Sequence, residues 1–478
     1  MALRERAGLS QQDLADELTN LAASRYGKHP QITRKTIGRW ERGEVVWPQP
    51  FYRRLLAELF ECAADELGFR RPRVNRSEQE QTGPIPVPLT FASTPTATEP
   101  HVDRDQDEWR QIRAALGRHR RALAVLAESL YRDHRVPGLE NTGVISTPTW
   151  IPAEPVPLDE LNLTLNSVAS EATITGEEPD SAAVRPLAGV DARYRRYHDA
   201  IRDLAAPRLF ENRLCFRLLE LDWTQPGMRF GQMGFFDAMD TNEALAHEFA
   251  AQHLALDRDS ETLMPRASMR RLKFRTLVAD PFDLSRRPLM GAIGTLTIRG
   301  GDSPSVVLHQ RDSASVAGGG GMAHLLPAGI FQPSSVIPAA VAADFSIWRN
   351  IQREYAEELL GHDEYDGSGK PIQYDELEPF ATMDEARNRG RIRVFCLGVT
   401  LDALTLAGDI LTVAVIAPDT YDQLFANAVE TNTEGSMPAR AFPFEENTLT
   451  WLNESRKLST GAAAALQLAW SHRKVLLA

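Results

Sequence analysis

Polar and hydrophobic positions alternate with two different periods along the chain, and the change of period divides it. In the first 70 residues, apolar positions recur at helical spacing in short runs. Leu14, Ala15 and Leu18 share one face, as do Ile37 and Trp40. Ser10 with Asp13 predicts a capped helix start, and Thr33 a second one. Residues 71–107 hold few large apolar side chains and much Pro, Ser, Thr and charge, so they predict a disordered linker. From Glu108 to Asp133 a helical stripe returns in Ile112, Leu116, Leu123, Leu126 and Leu130. Residues 134–184 are proline-rich and irregular.

From Arg185 onward strand-like and helical runs alternate. DARYRRYHDAIRDLAAPRLF predicts a helix, NRLCFRLLELDW a strand and TNEALAHEFAAQHLAL a helix. IGTLTIRG, SVVLHQRD and RVFCLGVTLDALTLAGDILTVAVIA predict further strands. DFSIWRNIQREYAEELLG and TGAAAALQLAWSHRKVLL predict two more helices. The fold class expected is multidomain: an all-α head, then an α/β (α+β) body. The divisions are a head over 1–70, the linker over 71–107, a mixed connecting region over 108–284 and a C-terminal domain over 285–478.

Charge sharpens this division. The 478-residue chain carries a net charge of −12. Residues 1–76 hold 14 Lys and Arg against 10 Asp and Glu, whereas the remainder holds 39 against 55. A basic head on an acidic body suits a protein whose head alone meets phosphates. Three widely spaced cysteines, Cys62, Cys215 and Cys396, show no metal-ligand spacing. No apolar run long enough to cross a membrane occurs, and MALRERAGLSQQ does not read as a secretory signal. A cytoplasmic location with no membrane partner is expected.

LRERAGLSQQDLA, TRKTIGRWERG and the closing LLAELFECAADELGF together resemble the lambda-repressor-like, or XRE, helix-turn-helix family. The resemblance covers about the first 70 residues. It implies binding of double-stranded DNA, as a homodimer on half-sites about one helical turn apart. By position, Gln11 and Gln12 match the helix start that meets the DNA backbone. Thr33 caps the recognition helix, and Arg34, Lys35, Thr36 and Arg39 match its base- and phosphate-facing positions. Arg42 reads as a phosphate contact or a solvated residue, and Trp40 as packing. Thr19 to Ile32 is longer than the family's tight turn, which implies a longer second helix or an inserted loop.

The body's chemical feature is Arg353-Glu354-Tyr355-Ala356-Glu357-Glu358. On a helix the three glutamates share a face. They predict either a solvated acidic surface or a site for a hard cation such as Mg²⁺. A strand, a Gly-rich turn and HLLPAGIFQP precede this helix and a long hairpin follows it, an order that resembles the Nudix family over roughly 285–478. The resemblance implies that Glu354, Glu357 and Glu358 hold a metal, that Gly329 opens the motif, and that the ligand is of nucleotide or pyrophosphate type. His309, Arg311, His324 and Gln332 are the candidate ligand-binding residues. The motif departs from the family: Gly329 lies too far from Arg353, Phe345 stands where a further glutamate is expected, and Gly361 comes one residue late. These departures favour a sensor that has lost its chemistry, with no catalytic residue assigned. An active hydrolase of nucleoside diphosphate compounds and a DNA-tethered protein-interaction module are the alternatives. Arg193, Arg195 and Arg196, beside Tyr194 and Tyr197, read as an anion site or a solvated face.

Overall fold

The computed structural model describes residues 4, 9–26, 32–41, 50–60, 99–166, 171–207, 210–257, 260–310, 322–362, 371–426, 428, 431–432, 435–436, 439–454 and 458–478. The chain divides into two compact units, Met1–Thr94 and Pro95–Ala478. The fold mixes helix and sheet, and its main sheet is a curled half-barrel.

The first unit contains α1 (Gln11–Tyr26), α2 (Arg34–Glu41) and α3 (Pro50–Leu59). Ser10 Oγ accepts Asp13 N at 3.1 Å while Asp13 accepts Ser10 N at 2.8 Å, a reciprocal cap that fixes the start of α1. Thr33 and Thr36 exchange the equivalent bonds at 3.3 Å at the start of α2. Leu14, Leu18, Ile37, Trp40, Leu55 and Leu56 form one apolar cluster among the three helices, and Trp40 packs on Tyr52 at 5.4 Å. The long segment after Thr19 extends α1 as far as Tyr26; residues 27–31 lie outside the described residues.

The second unit opens with α4 (Pro100–Glu128), 29 residues long. Residues 100–107 are therefore helix rather than linker, and 71–98 lie outside the described residues. Their charge concealed the helix, but Pro100 suits a first turn and Val102 and Trp109 are buried. The long predicted helix over 191–210 is also shorter: α5 spans only Tyr197–Leu204, because Ala192–Arg193 pairs with Leu187–Gly189.

The main sheet takes short strands from the irregular region, β1 (Val144–Ile145) and β2 (Val156–Pro157). A smaller sheet has β3 (Asn162–Leu165), β4 (Leu214–Asp222) and β5 (Gly227–Gly234), in the order β3-β5-β4. α6 (Ala244–His253) follows. The main sheet continues with β6 (Gly291–Arg299), β7 (Ser305–Gln310), β8 (Ala323–Leu325), β9 (Ala328–Ile330), β10 (Ile392–Asp402), β11 (Gly408–Ile416) and β12 (Ala439–Pro443). Its order is β1-β10-β11-β6-β7-β8, with β2 on β10, β9 on β6 and β12 on β7. β6 and β11 run parallel at its centre, from Gly291 opposite Gly408 to Arg299 opposite Ile416.

Period-two alternation divides the sheet's side chains between two cores. Along β11, Ile410, Ala414 and Ile416 enter one cluster with Ile351 and Tyr355 of α8 (Ile347–Glu358). Leu411, Val413 and Val415 enter the other with Ala462–Leu466 of α10 (Thr460–Ser471). The two helices thus cover opposite faces. Between α8 and β10 lies α9 (Phe380–Asn388).

The expected boundary at residue 285 is not a structural one. β1 and β2 hydrogen-bond to β10, Phe216 N donates to Phe331 O at 2.9 Å, and Leu218 N donates to Leu289 O at 2.9 Å. Residues from Trp109 to Phe425 share one core. The proline-rich stretch gave no periodic signal because its strands are two to four residues long.

Candidate functional site

α8 begins where Ser346 Oγ accepts Arg349 N at 3.3 Å. Ile347, Ile351 and Tyr355, spaced by four, bury one face. Asp384 of α9 clamps the helix by accepting Trp348 Nε1 at 2.6 Å, Arg349 Nη1 at 2.5 Å and Gln352 Nε2 at 3.0 Å. The helix ends at Glu358 with Leu359 as its C-cap, and Gly361 (φ 69°) turns the chain away.

The rigid helix presents Arg353, Glu354 and Glu357 to a cleft of about 310 Å³. Gln332, Pro333, Ser334, Ser335 and Val336, which follow β9, form a second wall, and Glu211, Asn212, Arg213 and Leu214, which lead into β4, form the third. Beneath it Arg353 is almost wholly buried and fully engaged. It donates to Tyr374 Oη at 2.6 Å, Gln332 O at 2.7 Å and Asn350 Oδ1 at 3.2 Å, and pairs with Asp344 at 3.2 Å. Asp344, fully buried, also accepts Tyr374 Oη at 2.5 Å and Ser334 N and Oγ at 2.7 and 2.6 Å. Burial raises the Tyr374 phenol above its ordinary value, so it stays protonated and donates to Asp344. This network fixes the 332–334 wall to α8. Asp344, one position before Phe345, supplies the carboxylate.

Two of the three glutamates reach neighbouring residues of one short strand. Glu358 accepts Ala328 N at 3.0 Å, while Glu354 lies against Gly329, where an added Cβ would stand 1.9 Å from Glu354 Oε1. Gly329 is needed for this close approach. Glu357 lines the cleft. Among the described residues no group of three or more His, Cys, Asp or Glu side chains is arranged to hold a metal ion. The expected Mg²⁺ site on Glu354, Glu357 and Glu358 therefore does not fit this arrangement.

Of the candidate ligand residues, only Gln332 lines the cleft. His309, buried, and His324 stand opposite each other across β7 and β8, away from the cleft's lining, and Arg311 lies outside the described residues. Sequence reasoning missed Glu211, Asn212, Arg213 and Ser334. The first three come from a loop over a hundred residues before α8, and no local pattern marks them. Cys215, next along, sits with its thiol 3.9 Å from Gln332 Oε1, and burial pushes it up to about 12, so it is an inert thiol.

In the first unit Thr33 and Arg34 are exposed at the start of α2 and Thr36 is partly buried. Lys35 and Arg39 lie on α2 but their side chains are outside the described residues, as is Arg42 entirely. Gln11 does not point outward alone: its Nε2 donates to Glu41 at 2.6 Å, and Arg4 Nε donates to the same carboxylate at 2.7 Å. Gln12 Nε2 donates to Asp16 at 2.9 Å.

The arginine-tyrosine run resolves into ion pairs: Arg193 with Asp105, Arg195 with Glu177, and Arg196 with Glu177 and Asp240. No described helix is long and apolar enough to cross a membrane. No protein-family model matches the chain, and no curated protein matches it significantly.

Proposed function

We propose that the chain is a ligand-responsive DNA-binding transcription regulator. In this reading an XRE-type helix-turn-helix head binds double-stranded DNA, and a Nudix-like body senses a nucleotide- or pyrophosphate-type ligand in the cleft on α8. The observation that carries the DNA reading is the two-sided character of α2. Ile37 and Trp40 are buried in the head's core, while Thr33 and Arg34 at its start are exposed, where a recognition helix meets base edges. The basic balance of the first 76 residues supports it.

Supporting the body's role are the sheet covered by α8 and α10 on opposite faces and the cleft walled by Arg353, Glu354, Glu357 and Gln332. Sensing is favoured over hydrolysis by the engagement of the carboxylates: Glu358 holds Ala328 N and Glu354 packs on Gly329.

Gel shifts on a bound promoter fragment test the head. The Arg34→Ala, Arg39→Ala double variant should bind more weakly, each lost base contact costing about 1–3 kcal/mol. Unchanged binding would refute the DNA reading. For the body, the protein is incubated with nucleoside diphosphate compounds, and both thermal midpoint and turnover are followed. A raised midpoint without turnover supports sensing, since a ligand bound only to the folded state stabilises it; turnover abolished by Glu357→Gln supports the hydrolase. The homodimer proposal predicts a dimer by sedimentation on a two-half-site fragment.

A further inference from the structure

A hairpin of Leu254–Asp257 and Ser260–Leu263 is joined to the short helix Lys273–Val278 by a loop that reads MPRASMRRLK over 264–273. Arg266, Arg270, Arg271 and Lys273 are all exposed, and the stretch holds no Asp or Glu. Among the described residues none of these four side chains makes an ion pair or a hydrogen bond. We propose, resting on the DNA-binding reading of the head, that this loop is a second, sequence-independent DNA contact that holds phosphates of the duplex backbone.

Three features carry this. First, the loop's backbone is pinned while its cations stay outside. Met264 N donates to His253 O at 2.9 Å and Ser268 N to His253 Nε2 at 3.1 Å, and His253, buried at the end of α6, donates from Nδ1 to Phe249 O at 3.0 Å. Leu272 is fully buried, and its N donates to Met269 O at 3.1 Å. Buried Glu248 then accepts Phe274 N and Arg275 N at 2.7 and 2.9 Å. Guanidinium groups presented from a fixed backbone lose less freedom when they meet a phosphate. Second, the nearby acids in sequence are engaged or set apart. Glu261 accepts Arg118 Nε at 3.0 Å and lies 2.8 Å from His119 Nε2, Asp280 accepts Phe282 N at 2.9 Å, and Asp257 stands opposite Ser260 at the turn end of the hairpin. Surface arginines such as Arg202 and Arg299 instead face carboxylates, Asp199 and Asp422, each at 2.8 Å. Third, the loop's exposed large hydrophobics are Met264 and Met269, 43% and 37% exposed. Insertion into a lipid surface takes a whole apolar helix face, so the loop suits a phosphate backbone better.

Fluorescence anisotropy of the full chain with a random-sequence DNA duplex, repeated over a range of potassium chloride, tests the contact. Each phosphate neutralised contributes about 0.9 to the fall of log affinity with log salt, so the Arg266→Gln, Arg270→Gln, Arg271→Gln triple variant should lose about 2 to 3 from that slope and bind more weakly. Its unfolding midpoint should stay unchanged, because the three side chains are exposed. Replacing the same three arginines by lysine should keep the slope. The glutamine variant should weaken binding of a promoter fragment and of the random duplex by the same factor, whereas the Arg34→Ala, Arg39→Ala double variant should reduce the preference between them. An unchanged salt slope in the glutamine variant would overturn the proposal. So would a variant that binds the duplex like wild type but loses binding to phosphatidylcholine vesicles containing phosphatidylserine. A double variant with undiminished preference, beside a triple variant with a reduced slope, would refute the head's role and leave the loop's contact standing.

Discussion

Arg353 and Asp344 form a buried ion pair at 3.2 Å that joins α8 to the wall of the cleft. Tyr374 bridges them, accepting from Arg353 and donating to Asp344, and Ser334 completes the carboxylate's shell. Removing one member of such a pair leaves the other charged and desolvated. Asp344→Ala should therefore cost about 3–5 kcal/mol of stability. Chemical unfolding of wild type and variant measures this; a loss below about 1 kcal/mol would show that the network is not structural.

Gly329 and Glu354 make a second testable pair. A Cβ at position 329 would overlap the Glu354 carboxylate, so Gly329→Ala must displace that side chain. The displaced atoms are the end of a flexible chain, so the cost should stay near the lower end of about 1–3 kcal/mol. Glu354→Ala removes the obstacle, and the double variant should show less loss than the two single losses combined. A double-mutant cycle on unfolding free energies measures the coupling; additive losses would refute the contact.

Much of this arrangement was legible in sequence. The apolar run LTVAVI lies in a stretch that reads as strand, and β11 divides its side chains between two cores. The i, i+3, i+4 spacing of Glu354, Glu357 and Glu358 placed them on one helix face. The spacing did not reveal their separate engagements, because Ala328 and Gly329 reach them through tertiary contact. Nor did it reveal Glu211, Asn212 and Arg213, which only the path of β4 brings to the cleft. Asp344 stands beside Phe345 in the sequence, but its role depends on the 3.2 Å approach of Arg353.

Glu41 should make the head acid-sensitive. Its partial burial raises the carboxyl, but bonds from Arg4 and Gln11 outweigh that and hold it below its ordinary value of 4.5. A depressed folded pKa adds stability above 4.5, which is lost as pH falls through the lower folded value. Amide protection factors of α1 and α2, corrected for intrinsic exchange, should drop below about pH 4.5, and Glu41→Gln should flatten that drop. An identical acid profile in the variant would refute the role.

Asp409 gives the opposite dependence in the body. It stands on β11 with its Oδ2 2.9 Å from where a Cβ on Gly461 would lie, at the first turn of α10. Burial, and then the neighbouring Asp402, raise it from 3.8 to about 7. The unfolded chain therefore ionises first, while the folded protein keeps the proton up to about 7. Across that window the folded state binds more protons, so stability falls as pH rises and the full penalty applies above 7. Asp409→Asn keeps the shape without the charge. Its unfolding midpoint should match wild type near pH 4 and exceed it at pH 8, and a variant with no advantage at pH 8 would show that Asp409 is ionised at no cost in the folded body.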